Sequence, residues 1–148
     1  MYESDNLDNL VEELQQKILS DVRERYSQTA VDHWQNPRNC KRITNPDGYA
    51  RVRGSCGDSM EMFIVLSDDN ISDCGFQTDG CGPSIICGSV VTELVRNKSA
   101  IEARACMSPA GIIDIIGGLP PEDEHCAQLA SMTMMEALNS LCRPEGSG

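Results

Sequence analysis

The sequence predicts an α+β domain in which helices pack on one face of a three-stranded antiparallel sheet, preceded by an N-terminal amphipathic helix. Three observations support this prediction. Apolar residues alternate with period two between residues 49 and 78, and recur every three or four residues elsewhere. Most of the predicted helices follow the strands along the chain, an order typical of α+β domains. The length of 148 residues suits one hydrophobic core.

The first predicted element is a helix over residues 6–28. Its apolar residues are spaced by three and four and so share one face: Leu7, Leu10, Val11, Leu14, Ile18, Val22 and Tyr26. Asp5 or Asp8 is the predicted N-cap. The apolar face has two interpretations, since it either covers the core or docks a partner. The helical pattern ends near Pro37, because proline disfavours helical geometry in the residue before it.

Three strands follow, near residues 49–55, 59–67 and 70–78. In the second strand, the residues alternate between two faces. One face has Met60, Met62, Ile64 and Leu66, and the other has Glu61, Phe63 and Val65. Asp68, Asp69 and Asn70 form a predicted turn between the last two strands. The short connections make the sheet antiparallel.

The helical period returns after Cys81 and continues to Arg96. Ser99 and Glu102 have the spacing of a capping box, which predicts a short helix. Another helix begins at Ser108-Pro109 and ends at Gly117-Gly118. The last begins near Pro120-Pro121, where acidic residues favour a helix N-terminus, and continues through Leu141.

The net charge of -11 argues against nucleic acid as a partner, because an acidic surface repels phosphate groups. The N-terminus has neither the basic start of a secretory signal nor the arginine-rich composition of a transit peptide. No apolar run approaches the roughly 18–20 residues that span a bilayer. We therefore expect a cytoplasmic protein that binds no membrane.

Three of the eight cysteines have distinctive neighbours. Glycines flank Cys81 and follow Cys56, while His125 precedes Cys126. Thiolates bind soft metals and attack sulfur, and a helix N-terminus favours the thiolate. No pair of cysteines has the two-residue separation of a zinc knuckle, so a shared metal site requires the fold to bring them together. The alternatives are tight turns at Cys56 and Cys81, and a buried helical cysteine at Cys126.

Asp58 and His125 are the candidate fourth donors. Stable iron-sulfur clusters usually have four cysteine ligands, so three cysteines with one oxygen or nitrogen donor suit transient storage of a cluster. Alternatively, Asp58 is a turn residue and His125 a polar group of a first helical turn. The other cysteines are interpreted as mostly structural: Cys40, Cys74, Cys87, Cys106 and Cys142. Cys40 is the leading exception, because its loop is expected to be exposed.

These motifs together resemble the IscU and NifU N-terminal domain family of iron-sulfur cluster assembly scaffold proteins. The resemblance covers residues 26–142 and rests on motifs in a compatible order: Tyr26-Ser27, His33-Trp34-Gln35-Asn36-Pro37-Arg38-Asn39, Cys56-Gly57-Asp58, Gly80-Cys81-Gly82, Leu119-Pro120-Pro121 and His125-Cys126. It implies a scaffold domain of this fold over residues 26–142. Residues 1–25 are then a helical extension and residues 143–148 a flexible tail.

The resemblance also implies a function. A cysteine desulfurase delivers persulfide sulfur, iron is collected, and a [2Fe-2S] cluster forms and passes to apo-proteins or a carrier. The implied ligands are Cys56, Cys81 and Cys126, with Asp58 and His125 as alternating fourth ligands. Cys126 is the first candidate for the sulfur acceptor and Cys81 the second. Zinc often replaces the cluster in isolated members, and two chains can share a cluster as a homodimer.

The chain departs from the family pattern at Asp123. Members usually have lysine there, in a segment that a chaperone recognises in many of them, so chaperone-assisted release is in question. A nearby lysine that would assist sulfur delivery is also missing. Two further departures are the acidic helix at residues 1–25 and the five additional cysteines.

Two other functions compete with the scaffold. The first is a zinc-binding sulfur acceptor that activates a desulfurase, as in the SufU type, although such proteins usually lack the adjacent histidine and have an insertion that is not evident here. The second is an enzyme with a cysteine nucleophile and a histidine base. This function is disfavoured, because adjacent side chains such as those of His125 and Cys126 diverge by about 100° on a helix.

Overall fold

The computed structural model describes residues 2–55, 57–80 and 82–141, and confirms the predicted α+β class. The side chains of residues 2–6, 19, 22 and 23 are also outside the description. The elements in chain order are α1 (Tyr2–Arg25), α2 (Gln28–Gln35), β1 (Gly48–Arg53), β2 (Ser59–Ser67), β3 (Asn70–Thr78), α3 (Gly82–Val95), α4 (Ala100–Cys106), α5 (Pro109–Ile116), a 3₁₀ turn (Pro121–Asp123) and α6 (Glu124–Leu141).

The sheet is antiparallel with strand order β1-β2-β3. Arg53 pairs with Ser59, and Met60 pairs with Thr78. This register places the β1–β2 loop and the end of β3 at the same end of the sheet. The loop contains Cys56, and Cys81 comes three residues after β3. The topology therefore brings two of the three cysteine-bearing segments close together.

The core lies between the sheet and the two longest helices that follow it. Helix α6 packs against β1 and β2, while α3 packs against β3 and α6. The even-numbered residues of β2 are fully buried at Met60, Met62 and Ile64, as the alternation predicts. On the opposite face, Arg42 forms an ion pair with Glu61 and its guanidinium lies over the Phe63 ring. The predicted packing of helices on one sheet face is confirmed.

The prediction of one N-terminal helix over residues 6–28 is wrong in its boundaries. Helix α1 ends at Arg25, and Ser27 caps a second helix by accepting a 3.0 Å hydrogen bond from the amide of Ala30. Helix α1 begins at Tyr2, so Asp5 and Asp8 lie inside it and are not N-caps. The serine hydroxyl satisfies an otherwise unpaired amide and so allows a new helix to begin.

The apolar face of α1 does not cover the core. Leu7 is 60% exposed and Ile18 is 55% exposed, and the side chains between them on this face are also exposed: Leu10, Val11 and Leu14. The core-covering interpretation of these residues is therefore wrong, and the docking interpretation stays a prediction. Val22 lies outside the described side chains.

The later helices begin and end close to their predicted signals. Ser99 and Glu102 form the capping box of α4, and Ser108 caps α5, which ends at the left-handed Gly117. The last helix begins later than predicted, because Pro121–Asp123 form a 3₁₀ turn before α6 starts at Glu124. None of the helices in the described part of the chain is long and apolar enough to cross a bilayer.

Candidate functional site

The candidate site lies where the β1–β2 loop, the end of β3 and the N-terminus of α6 approach one another. Of its five predicted residues, the structure describes Asp58, His125 and Cys126. Cys56 and Cys81 lie outside the described residues. The geometry therefore concerns the three described residues and the backbone on either side of the two cysteines.

The β1–β2 loop is a tight turn. The amide of Gly54 donates a 2.7 Å hydrogen bond to the carbonyl of Asp58, and the amide of Gly57 donates one of 3.0 Å to the carbonyl of Gly54. Gly57 has φ of +94°, a conformation that favours glycine because it has no Cβ. The turn alternative for this motif is therefore correct for Gly57, and it is compatible with a ligand role for Asp58.

The end of β3 is held against the start of β2 by side-chain hydrogen bonds. Asp79 accepts a 2.6 Å hydrogen bond from the amide of Ser59, and Thr78 donates one of 2.8 Å to the Ser59 carbonyl. The amide of Gly80 donates to the Thr78 hydroxyl at 3.0 Å. These bonds hold the backbone that leads into Cys81 in a defined position.

Gly80 lies close to two polar side chains. A Cβ at this residue would lie 2.5 Å from Ser84 Oγ and 3.0 Å from Asp58 Oδ2. The Asp58 carboxylate therefore faces the backbone immediately before Cys81. An oxygen donor in this place is consistent with the predicted fourth ligand.

At the start of α6, the sulfur of Cys126 lies near polar groups of His125 and Ser84. His125 Nε2 lies 3.6 Å from Cys126 Sγ, and Ser84 Oγ donates a hydrogen bond to the same sulfur at 3.5 Å. Cys126 is only 1% exposed, so the buried-cysteine alternative is correct about its burial. Adjacent side chains on a helix point about 100° apart, yet the imidazole of His125 reaches to 3.6 Å from the Cys126 sulfur.

Within the described residues, no group of three histidine, cysteine, aspartate or glutamate side chains is close enough together to hold a metal ion. Gly80 and Ser84 connect the two parts of the site, because Asp58 lies beside Gly80 and Ser84 donates to the Cys126 sulfur. The convergence of Cys56, Cys81 and Cys126 stays a prediction. On one side of His125 an open cleft of about 770 Å³ runs between α5 and α6, past Ile113.

Asp123, which lies where lysine was expected, contacts another part of the same chain. The Tyr26 hydroxyl donates a hydrogen bond to Asp123 Oδ2, and Arg25 forms an ion pair with Glu122. Ser27 also donates to the carbonyl of Ile116. The junction between α1 and α2 is therefore attached to the segment that precedes His125 and Cys126.

The remaining cysteines divide by burial. Cys74 and Cys87 are fully buried, and burial raises the pKa of both thiols, that of Cys74 to about 12. These two thiols stay neutral, as expected of structural cysteines. Cys40 is exposed and Cys106 is partly buried, while Cys142 lies outside the described residues.

Ser84 is the residue near the site that the sequence did not indicate. It stands three residues after Cys81, on the first turn of α3, and is fully buried. A hydroxyl three residues after the candidate ligand Cys81, in a predicted helix, was the sequence feature that could have indicated Ser84.

Comparison with known proteins gives a consistent family. The sequence model of the NifU-like N-terminal domain matches residues 25–144. An Archaeoglobus fulgidus protein named iron-sulfur cluster assembly scaffold protein IscU 1 is 37% identical over 122 residues, which cover 82% of this chain and 79% of the relative. The Escherichia coli K12 protein named iron-sulfur cluster assembly scaffold protein IscU is 37% identical over 118 residues, covering 76% and 91%.

Solved structures show the same fold. The N-terminal part of a NifU-like protein from Brucella abortus has a TM-score of 0.64 at 16% identity and covers 81% of this chain and 96% of that one. A structure described as a putative iron-sulfur cluster assembly scaffold protein for the SUF system, from Fervidobacterium islandicum, has a TM-score of 0.61 at 23% identity. It covers 78% of this chain and 97% of that chain.

Proposed function

The chain belongs to the NifU-like N-terminal domain family, and from this premise we propose that it is a scaffold, not an enzyme, that assembles a [2Fe-2S] cluster. The observation that carries the proposal is the position of Cys126, with an imidazole 3.6 Å from its sulfur, at the sheet end where Asp58 faces the backbone before Cys81. Two relatives that are 37% identical are named iron-sulfur cluster assembly scaffold proteins, which supports the scaffold part of the proposal.

The proposed cluster ligands are Cys56, Cys81 and Cys126, and Asp58 and His125 alternate as the fourth donor. Thiolates are the preferred ligands of iron-sulfur clusters. An oxygen or nitrogen donor binds iron less firmly than a fourth thiolate. The cluster is cargo, so a weaker fourth ligand favours its release.

Sulfur enters as a persulfide from a cysteine desulfurase. The thiolate of Cys126 attacks the outer sulfur of the desulfurase persulfide, a new S–S bond forms on Cys126, and the desulfurase cysteine leaves as a thiolate. Two electrons from a reductant then convert the transferred sulfur to sulfide and regenerate the thiol. Because Cys126 is 1% exposed, the start of α6 has to move for this attack, and Cys81 is the second candidate acceptor.

The other proposed properties follow from this function. The partners are a desulfurase and apo-proteins or a carrier, each cluster is held by one chain or shared by two chains in a homodimer, and the compartment is the cytoplasm. Residues 26–142 form the scaffold domain, with residues 1–25 as an extension for docking and residues 143–148 as a tail. A chaperone partner is left open, because Asp123 has the opposite charge to the lysine usual at this position, and Asp123 accepts a hydrogen bond from Tyr26.

The alternative is a zinc-binding sulfur acceptor that activates a desulfurase. Its support is the donor set, since three thiolates with one carboxylate or imidazole match tetrahedral zinc. A zinc ion in the isolated protein is compatible with both functions, so the two differ in whether the chain holds iron and sulfide.

Anaerobic reconstitution distinguishes them. The chain is mixed with ferrous iron, cysteine and a desulfurase, and visible absorption, iron and acid-labile sulfide are measured. We expect one cluster for every one or two chains. Replacing any of Cys56, Cys81 or Cys126 by serine should abolish or destabilise the cluster, while Cys40→Ser should preserve it. A persulfide on one cysteine without iron or sulfide would establish the zinc-dependent acceptor instead.

A further inference from the structure

Ser84 provides a buried hydroxyl beside the candidate site. Its side chain is fully buried, and its Oγ donates a hydrogen bond to Cys126 Sγ at 3.5 Å, a distance within the range for sulfur acceptors. Ser84 and Cys126 are 42 residues apart and lie on the first turns of α3 and α6. The bond therefore joins the two helices at the ends that face the site.

The Ser84 hydroxyl lies in space that is open because Gly80 has no side chain. A Cβ at Gly80 would lie 2.5 Å from Ser84 Oγ, well inside van der Waals contact. The same Cβ would lie 3.0 Å from Asp58 Oδ2. Glycine at position 80 thus allows the hydroxyl and the carboxylate to approach the backbone just before Cys81.

We propose that Ser84 is a positioning residue for Cys126, whose hydroxyl holds the cysteine sulfur and withdraws electron density from it when the sulfur binds a metal. This inference rests on the proposed function of the site. It extends that function by one residue, which acts through Cys126 and is not itself a ligand.

The physical effect follows from hydrogen bonding to a ligand atom. A donor hydrogen bond to a thiolate lowers the electron density that the sulfur gives to the metal, and hydrogen bonds to the sulfurs are one determinant of cluster reduction potentials. The bond is also stronger to a thiolate than to a neutral thiol, because one partner is charged. Removing the hydroxyl therefore leaves a more electron-rich and less well oriented sulfur.

The test uses the full chain with cobalt(II) as a spectroscopic probe, alongside the reconstituted cluster. The variant is Ser84→Ala. The matched control is Ser89→Ala, which removes another buried hydroxyl of α3 that bonds to His33 at 2.6 Å and to the amide of Arg38 at 2.8 Å. Thermal unfolding first establishes that both variants fold.

With Ser84→Ala, the thiolate-to-cobalt charge-transfer band should move to lower energy, and the reduction potential of the cluster should fall. Ser89→Ala should leave both values at those of the wild type. Ser84→Thr, which keeps the hydroxyl, should retain the wild-type values of both.

The outcomes distinguish a failure of the proposed role of Ser84 from a failure of the proposed scaffold function. Unchanged spectra and potential in a folded Ser84→Ala protein that still binds cobalt and cluster would overturn the inference alone. Equal shifts in Ser84→Ala and Ser89→Ala would also overturn it, since they indicate general repacking of α3. A wild-type chain that holds no cluster would overturn the proposed function and, with it, this inference.

Discussion

Gly80 has no Cβ, and any other residue at this position would place its Cβ close to the side chains of Ser84 and Asp58. Ser84 Oγ and Asp58 Oδ2 occupy the space where a Cβ would project. The need for glycine at position 80 does not come from the backbone conformation, because the φ of Gly80 is not positive. It comes from the close approach of Ser84, on the first turn of α3, and of Asp58, in the β1–β2 loop.

Gly80→Ala should therefore destabilise the chain. An inserted methyl group 2.5 Å from an oxygen forces side chains or backbone to shift, at a cost of about 1–3 kcal/mol in the free energy of unfolding. Urea denaturation measures the difference. The control is Gly54→Ala, whose Cβ would meet the Leu129 side chain at 3.4 Å, an ordinary contact, and which should change stability by less than about 1 kcal/mol. Equal stability for Gly80→Ala and the wild type would contradict this prediction.

At the scale of elements, α1 differs from every other long helix in the described structure. Helices α3 and α6 bury most of their apolar residues against the sheet and against each other, whereas α1 has an exposed row that runs from Leu7 to Ile18. Its C-terminal end is attached, through Arg25 and the adjoining Tyr26, to the turn before α6. The helix is thus connected to the site without contributing its apolar side chains to the core.

Polar substitutions on this face should leave stability unchanged. We expect the free energy of unfolding of the double variant Leu7→Ser, Leu14→Ser to lie within about 0.5 kcal/mol of the wild-type value. The reason is that both side chains are already about half exposed or more. The contrasting variant, Leu138→Ala in the buried face of α6, should cost about 2–5 kcal/mol. Thermal or urea unfolding of the isolated chain provides the measurement. A loss comparable to that of Leu138→Ala would show that α1 covers the core.

For the whole molecule, the fold sorts similar cysteines into different chemical classes. Cys74 and Cys87 sit in the core, where burial keeps their thiols protonated, while Cys40 is at the surface. The pKa of Cys74 rises from 9.0 to about 12. A raised thiol pKa contributes stability below the unfolded pKa, and this contribution is lost as the pH rises through about 12.

Alkylation should reveal this division. With iodoacetamide at pH 8, we expect Cys40 to react rapidly and Cys74 and Cys87 to stay unmodified until denaturant is added, because the thiolate is the reactive form. Mass spectrometry of peptides from timed samples assigns each site. Modification of Cys74 at the rate of Cys40 in the folded chain would refute the burial described for this residue.

Much of the fold follows from local signals. The alternation at Met60, Met62 and Ile64 predicted a strand with one buried face, and Ser99 with Glu102 predicted the start of α4. The break at Ser27 was missed, since the apolar spacing continues through Tyr26 and conceals it. For the site, the three unusual cysteine contexts predicted that the β1–β2 loop, the end of β3 and the start of α6 form it. Ser84 was not indicated, because it resembles any small polar residue of a first helical turn.

The sequence by itself determined the α+β class, the order of the elements and the family, because periodicity, capping residues and ordered motifs are local properties of the chain. Only the tertiary structure decided that the apolar face of α1 stays exposed and that Ser84 meets Cys126. The reason is that a pattern shows which side of a helix is apolar but not what lies opposite it. Contacts between residues 42 positions apart depend on how all the elements pack together.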